Sequence, residues 1–153
     1  MKIRIDIDEN SREPEIVIRG SSDDVAKLQN AILAASKNAQ NLALVRDGRD
    51  YYLPAESILF FESVDGKTWA HTAKNIYEIK QKLYELENIL PASFVRISKS
   101  AIIGTKYILS ISHNLAGPSL VRFRGSHKQI NVSRGYYKRL VNKLSERSYH
   151  ESN

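Results

Sequence analysis

The sequence predicts a mainly β domain with short helices, preceded by a small β-β-α extension. Beyond residue 40, many short apolar runs alternate with turn signals at a spacing of roughly 8–12 residues, which is typical of a β-rich core. Before residue 40, two alternating segments precede one helical pattern. These observations predict an extension over 1–40, a domain over 41–147 and a polar tail over 148–153.

Composition excludes several classes of protein. The chain has 153 residues, 42% of them apolar, and no cysteine. It therefore has no disulfide scaffold, thiolate metal site or cysteine nucleophile. No apolar run approaches the roughly 20 residues that cross a bilayer, and the alternating N-terminus is not a signal peptide. We expect a cytoplasmic protein.

The extension is predicted from two alternating segments and one amphipathic pattern. Ile3–Ile7 and Glu15–Arg19 alternate apolar and polar side chains, so each is predicted as a half-buried strand. Ser21 or Ser22 is a suitable N-cap for a helix over about 22–37, in which apolar residues recur at helical spacing. Residues 36–41 are predicted as a linker.

The first half of the domain alternates strands and hairpin turns. Asp47-Gly48 and Asp65-Gly66 are strong signals for two-residue hairpins. A helix is predicted over 80–89, where apolar residues have helical spacing and Pro91 follows. The strands of this half are predicted at 42–45, 51–53, 58–64, 68–72 and 76–79.

The second half continues the β pattern and ends in a helix. Ser133 is a suitable N-cap for a helix over 134–146, with Tyr137, Leu140 and Leu144 among its apolar positions. Residues 114–118 and Gly125-Ser126 are predicted turns. The strands of this half are predicted at 94–97, 101–103, 107–112, 120–124 and 129–132.

Positive charge is concentrated in one stretch. Residues 92–147 contain 11 basic and 1 acidic side chain, a net charge of +10, whereas the whole chain carries +6. Clustered Lys and Arg are typical of surfaces that bind a phosphate backbone. This distribution favours a nucleic-acid partner over a solvated basic face without one.

The sequence offers little for catalysis. The four histidines lack metal-binding spacing, and no phosphate-binding loop or nucleophile elbow is present, so we expect no enzyme, metal or cofactor. Glu62 and His71 can face each other across the Asp65-Gly66 hairpin. A structural cross-strand pair is the favoured interpretation, with a general-base pair as the alternative.

Three blocks resemble the LytTR family of DNA-binding domains. Phe94–Ile103 resembles the family's central signature. Ile58–Ser63, followed by Trp69–Thr72, resembles its hairpin motif, and Ile130–Leu140 resembles its C-terminal motif. The resemblance covers about residues 41–145 in the family's order. It implies an elongated β-β-β fold of about ten mostly antiparallel strands, whose loops enter successive major grooves.

The resemblance also implies which residues contact DNA. Bases are expected to be read by side chains from the hairpin loop, the central motif and the C-terminal motif. These residues are Lys67, Thr68, Ser98, Lys99, Ser100 and Arg134. Phosphate contacts are expected from basic side chains of the charged stretch. These residues are Lys106, Arg122, Arg124, Lys128 and Lys138.

Neighbouring residues of the motifs are expected to be structural. Arg96 is predicted to bridge to Glu62, and Ser133 to cap a helix and so aim Arg134. Tyr136 and Tyr137 are predicted to pack against the sheet rather than stack on bases.

The resemblance is to stand-alone LytTR regulators of bacteria, which lack a receiver domain. It implies two protomers on paired direct repeats, and input through a small membrane protein encoded nearby. The extension is expected to dimerise or to dock a partner, because Ile3–Ile7 would form an exposed strand edge. Two alternatives stay open: a binder of RNA or single-stranded nucleic acid, and a protein-interaction module with a basic face.

Overall fold

The computed structural model describes residues 2–11, 15–38, 41–114 and 116–151. The chain divides into two compact units, Met1–Ala34 and Ala35–Asn153, which we call unit 1 and unit 2. Among the described residues, the helices are α1 (Ser22–Asn38), α2 (Leu83–Ile89) and α3 (Arg134–Glu151), and a single 3₁₀ turn spans Ala55–Ser57. The strands are β1 (Asn41–Arg46), β2 (Arg49–Pro54), β3 (Phe60–Val64), β4 (Lys67–His71), β5 (Ile76–Ile79), β6 (Phe94–Ser98), β7 (Ala101–Gly104), β8 (Ile108–Ser112), β9 (Ser119–Phe123) and β10 (Gln129–Val132).

Unit 1 contains most of the predicted helix but neither predicted strand. The Ser21 hydroxyl accepts a hydrogen bond from the Asp24 backbone N–H at 3.4 Å, as expected for the N-cap of α1. Ile3–Ile7 and Glu15–Arg19 belong to no strand in this structure, so the β-β part of the predicted extension is wrong. An alternating pattern marks a suitable face, but a strand also needs a partner for its backbone groups.

Unit 2 is built on two antiparallel sheets. Sheet A has seven strands in the order β2-β1-β5-β4-β3-β7-β6, and sheet B has three in the order β10-β9-β8. Both Asp-Gly hairpins form as predicted. Asp47 and Gly48 have φ values of 50° and 72°, and Asp65 and Gly66 have values of 52° and 77°. Positive φ at both central residues is the signature of the hairpin turn that matches strand twist.

Sheet A is covered on both faces, which explains its continuous apolar runs. Phe61 and Ile102 belong to a core cluster that includes Leu83 and Leu86 of α2. Phe60 and Ile103, their neighbours in sequence, belong to a second cluster together with residues of sheet B and α3. Successive strand residues point to opposite faces. Both faces of β3 and β7 are therefore core.

Two helix boundaries in unit 2 differ from the prediction. The second helix begins at Leu83 rather than residue 80. The last helix continues past residue 146 to Glu151, so the predicted polar tail is largely helical; residues 152–153 lie outside the described residues. No glycine or proline occurs after Gly135 to end that helix. The predicted linker lies partly outside the described residues, because α1 reaches Asn38 and residues 39–40 are not described.

Candidate nucleic-acid interface

Three turns of unit 2 meet at one end of that unit. The β6–β7 turn lies beside β3, because the Ser63 N–H donates to the Ser100 carbonyl at 2.8 Å. The segment that leads into α3 lies beside β6, because the Ser133 N–H donates to the Ile97 carbonyl at 3.0 Å. The tip of the β3–β4 hairpin directly follows β3. We call this the three-turn end; it comprises residues 65–67, 98–100 and 133–134.

The hairpin turn presents one of its two predicted contact residues. Lys67 is exposed, whereas only 2% of Thr68 is accessible. Thr68 follows one residue later in β4, so its side chain points to the opposite face of the sheet, into the core. Direct base contact by the Thr68 side chain, as predicted, is contradicted by this burial. The Lys82 ammonium donates to the Gly66 carbonyl at 2.7 Å and holds the turn.

The β6–β7 turn carries Lys99 between two serines. Lys99 and Ser100 are exposed, and Ser98 is half-buried. The Ser100 N–H donates to the Ser98 hydroxyl at 3.1 Å, which closes the turn internally. The register between β6 and β7 shifts between Arg96 and Ser98. An irregularity of this kind distorts the end of a ladder, and it lies directly before the turn that carries exposed Lys99.

Arg96 holds this turn in place, with a different partner from the one predicted. Its Nε donates to the Ser98 carbonyl at 2.7 Å, and its Nη2 donates to the Lys99 carbonyl. Its Nη1 pairs with Glu87 of α2, so the predicted bridge to Glu62 is wrong. Glu62 instead bonds His71 within the hairpin, with a separation of 2.7 Å between Oε1 and Nε2. The Arg96 guanidinium thus joins α2 to the carbonyls of Ser98 and Lys99, which lie on either side of the Lys99 Cα.

Replacing Arg96 should therefore affect binding as well as stability. In Arg96→Ala, the Ser98 and Lys99 carbonyls lose their donor and the turn is freed. We expect a loss of about 0.5–1.5 kcal/mol in the free energy of unfolding for each bond removed, and weaker DNA binding. Denaturant unfolding and DNA titration check this.

Glu87→Gln is the matched control, since it weakens the link to α2 but leaves the bonds of Arg96 to the turn. It should retain most of the DNA affinity. An Arg96→Ala protein with wild-type DNA affinity would show that the turn does not need this support.

Arg134 is exposed at the first residue of α3. The helix is anchored by Leu140, which is fully buried in the second core cluster. Tyr136 and Tyr137 are partly buried against the same cluster, as predicted. The Tyr136 N–H donates to the Ser133 carbonyl at 2.9 Å in the first turn. The position of Arg134 is therefore set by the packing of α3 on β6.

The predicted phosphate contacts are not gathered at the three-turn end. β7 runs away from that end, and Lys106 follows its far terminus, where the Lys106 ammonium pairs with Glu56 at 3.0 Å. This pairing raises the pKa of Lys106. Arg124 is exposed nearby, and its guanidinium donates to the Lys106 carbonyl at 2.7 Å. A strand of four to five residues separates the two ends by about 15 Å.

Lys128 points into the protein, which contradicts a free phosphate contact. Its ammonium donates to the Asn75 carbonyl at 2.6 Å and lies 3.3 Å from Nδ1 of His71. Burial lowers the pKa of Lys128, and Glu62 opposes that shift. The Ser126 hydroxyl donates to the Ala73 carbonyl at 2.6 Å beside it. These contacts attach the segment before β10 to the loop after β4.

His71 is the buried centre of this attachment. The ring stacks on Phe60, with 4.2 Å between centroids. With the neutral ring protonated at Nε2, His71 can donate to Glu62 and accept from Lys128 at Nδ1. Burial lowers the pKa of His71 below its ordinary value of 6.5, Lys128 lowers it further, and the bond to Glu62 acts in the opposite direction. This geometry confirms the predicted pairing of Glu62 with His71.

The lowered pKa of His71 predicts acid sensitivity. As the pH falls below 6.5, the unfolded chain binds a proton at this histidine before the folded chain does. The stability contributed by His71 is complete above pH 6.5 and is lost as the pH falls towards the folded pKa, at up to about 1.4 kcal/mol per pH unit. Denaturant unfolding at pH 7.5, 6.5 and 5.5 measures this. His71→Gln should flatten the dependence; an unchanged slope in that variant would contradict the assignment.

Arg122 and Lys138 are exposed. Arg122 lies opposite Gln129 in sheet B. Lys138 lies one helical turn after Arg134 on α3, so it is the predicted phosphate contact nearest to the three-turn end.

Sequence reasoning missed the residues that support these turns. Glu87 and Lys82 lie at opposite ends of α2 and reach, respectively, Arg96 and the hairpin tip. Neither belongs to a motif of the resemblance. Glu87 can pair with Arg96, and Lys82 can reach a turn carbonyl, only because α2 packs on the sheet. The sequence alone does not show that packing.

Within the described ranges, no group of three or more His, Cys, Asp or Glu side chains could hold a metal ion. No helix of the described part is long and apolar enough to cross a membrane.

Comparisons with known proteins show which chains this one resembles. Over 147 residues, the chain is 28% identical to an uncharacterized HTH-type transcriptional regulator of Staphylococcus aureus strain NCTC 8325 and 27% identical to one of strain MRSA252. Each match covers 95% of this chain and 99% of the relative. A LytTr DNA-binding domain from Bacillus cereus superposes with a TM-score of 0.63 at 23% identity, covering 69% of this chain and 96% of that one.

That superposition shows that the mostly antiparallel β architecture predicted for the domain is a LytTr fold. The family model for the LytTr DNA-binding domain matches residues 48–145. This range includes all three turns of the three-turn end and the whole of sheet B. Since the match covers more than half of the chain, the protein belongs to the LytTr DNA-binding domain family.

Proposed function

We propose that this protein is a sequence-specific duplex-DNA-binding regulator of transcription in the bacterial cytoplasm. Its family membership supports DNA binding, and its relatives in Staphylococcus aureus are named as transcriptional regulators. The observation that carries the proposal is the three-turn end, where exposed Lys67, Lys99 and Arg134 project from three turns joined by backbone hydrogen bonds.

In this proposal the three cations read bases in successive major grooves. Lys and Arg donate to O6 and N7 of guanine, which are presented in the major groove. Ser98 and Ser100 lie on either side of Lys99 and supply shorter hydroxyl donors and acceptors. Rigid turns suit this task, because a side chain that is already aimed loses less conformational freedom on binding.

Arg122 and Lys138 are the proposed phosphate contacts. Both are exposed, and neither takes part in an ion pair between described residues. Lys106 is paired with Glu56, and Lys128 is directed inward. We therefore assign Lys106 and Lys128 a structural role at the far end of unit 2. The proposed mechanism is binding rather than catalysis.

Two protomers are proposed to occupy paired direct repeats, with input through a protein partner such as a small membrane protein. The resemblance to stand-alone LytTR regulators supports this arrangement.

Selection from a random duplex library tests the proposal without knowledge of the operator. The selected duplex, a scrambled duplex and an RNA of the selected sequence are then titrated by fluorescence anisotropy at several salt concentrations. The selected duplex should bind tighter than the scrambled one by on the order of 10³ or more. Equal affinity for both duplexes, or tighter binding of the RNA, would overturn the proposal.

A further inference from the structure

Unit 1 carries an apolar edge that its own residues leave uncovered. Ile3, Ile5 and Ile7 are 78%, 80% and 82% exposed. Residues 2–7 belong to no ladder among the described residues. An alternating segment with three exposed isoleucines on one face and unpaired backbone groups is a ready template for strand addition.

Pairing within the chain places like charges opposite each other. The other alternating segment of unit 1 with which residues 3–7 could pair is Glu15–Arg19. Two antiparallel registers bring its isoleucines opposite those of residues 3–7. With Ile5 opposite Ile16, Asp6 faces Glu15. With Ile5 opposite Ile18, Arg4 faces Arg19. Like charges directly opposite in a ladder are destabilising, which agrees with the absence of this pairing in the described structure.

A second copy of the same segment matches without conflict. In an antiparallel pair with Ile5 opposite Ile5 of the other copy, Ile3 lies opposite Ile7 on one face. Arg4 then faces Asp6 and Lys2 faces Asp8 on the other face. Because the pair is symmetric, each favourable charge contact occurs twice. A parallel in-register pair would instead place Arg4 against Arg4 and Asp6 against Asp6.

Unit 1 also offers an apolar surface to cover such a ribbon. A two-stranded ribbon is only marginally stable unless one face packs on another element. Beside α1 lies a cleft of about 260 Å³ whose lining is apolar except for one glutamine. The lining residues are Ile16, Ile18, Val25, Gln29, Ile32 and Leu33.

From this match we infer that residues 2–8 pair antiparallel with the same residues of a second copy, about a two-fold axis at Ile5, and so join two protomers through unit 1. The ribbon's isoleucine face covers the cleft beside α1. The contact joins only the two copies of unit 1, and it depends neither on DNA nor on the direct-repeat order proposed for the DNA-binding units.

Charge reversal in the full chain tests the register. Sedimentation velocity without nucleic acid is run on wild type, Arg4→Asp, Asp6→Arg and the double variant. Each single variant places like charges opposite each other twice and should raise the dimer dissociation constant about 5- to 30-fold. The double variant restores Asp opposite Arg and should return to the wild-type constant. An equimolar mixture of the two single variants should dimerise more tightly than either alone.

Lys27→Asp is the matched control, because it makes the same charge change on the exposed side of α1, away from the apolar positions. It should dimerise like wild type. A melting temperature of unit 2 equal to that of wild type verifies that each variant folds. A monomeric wild type, single variants with the wild-type constant, or a double variant no better than the singles would each overturn the inference. These outcomes are all read without nucleic acid, so they test the dimer contact alone, whereas the comparison of selected duplex, scrambled duplex and RNA tests the proposed function.

Discussion

Lys99→Ala and Arg134→Ala should each weaken binding to the selected duplex by about 1–3 kcal/mol, while affinity for a scrambled duplex changes little. Both side chains are exposed on turns that are fixed by backbone hydrogen bonds, at 2.8 Å from Ser63 to Ser100 and 3.0 Å from Ser133 to Ile97. Removing a base contact leaves polar groups of the base without a partner in the interface. Fluorescence anisotropy with both duplexes measures the loss.

Lys74→Ala is the matched control for these variants. Lys74 is exposed in the loop that follows β4, at the far end of unit 2. Its removal should change affinity for both duplexes by the same small factor. If Lys99→Ala or Arg134→Ala behaved like Lys74→Ala, that residue would contribute only nonspecific electrostatic attraction.

Leu140→Ala should lower the free energy of unfolding of unit 2 by about 2–5 kcal/mol. Leu140 is fully buried in the cluster where α3 meets β6 and sheet B. The substitution removes buried methyl groups and leaves a cavity that the two sheets can only partly fill. Because α3 carries Arg134 at its first turn, affinity for the selected duplex should fall as well. Denaturant unfolding and DNA titration at a temperature where the variant is folded measure both effects.

Leu144→Ala is the matched control, which tests whether the loss of stability depends on how deeply the leucine is buried and not only on its lying in α3. Leu144 lies one turn further along α3 and is only partly buried against the same cluster. The same chemical change should therefore cost clearly less there. Equal losses for the two variants, or a loss below about 1 kcal/mol for Leu140→Ala, would contradict the anchoring role.

The β core of unit 2 was predictable because local signals and tertiary structure agree. Two-residue hairpin turns require positive φ, which Asp-Gly dipeptides tolerate, and both Asp-Gly dipeptides form such turns. The apolar run at 58–61 is buried on both faces because sheet A lies between α2 and sheet B. Where each residue's local preference matches the final fold, a single sequence suffices.

The strands predicted in the extension do not form, and the periodicity of the sequence cannot reveal why. The alternation at Ile3–Ile7 was correct as a pattern, but it identifies a face and not a partner. Charge register disfavours pairing with Glu15–Arg19, and such a comparison requires two segments to be placed side by side.

At the candidate site, the sequence located the three turns but not the direction of every side chain. Thr68 lies next to exposed Lys67, yet strand alternation places it in the core. Lys128 was predicted to contact phosphate because it is a basic residue of the charged stretch, yet its ammonium contacts Asn75 and His71. The support of Arg96 by Glu87 joins residues on separate elements, which no local motif encodes.

We propose that Lys67, Lys99 and Arg134 read the major groove from the three-turn end. The most direct measurement replaces each guanine of the selected duplex in turn by 7-deazaguanine, which removes the N7 acceptor in the major groove and leaves the minor-groove edge intact. Affinity losses should cluster in two successive major grooves about 10 base pairs apart. Lys99→Ala and Arg134→Ala should each be insensitive at one of these positions. Binding that tolerates every N7 removal, but weakens when inosine replaces guanine and removes the minor-groove amino group, would contradict reading of the major groove by these residues.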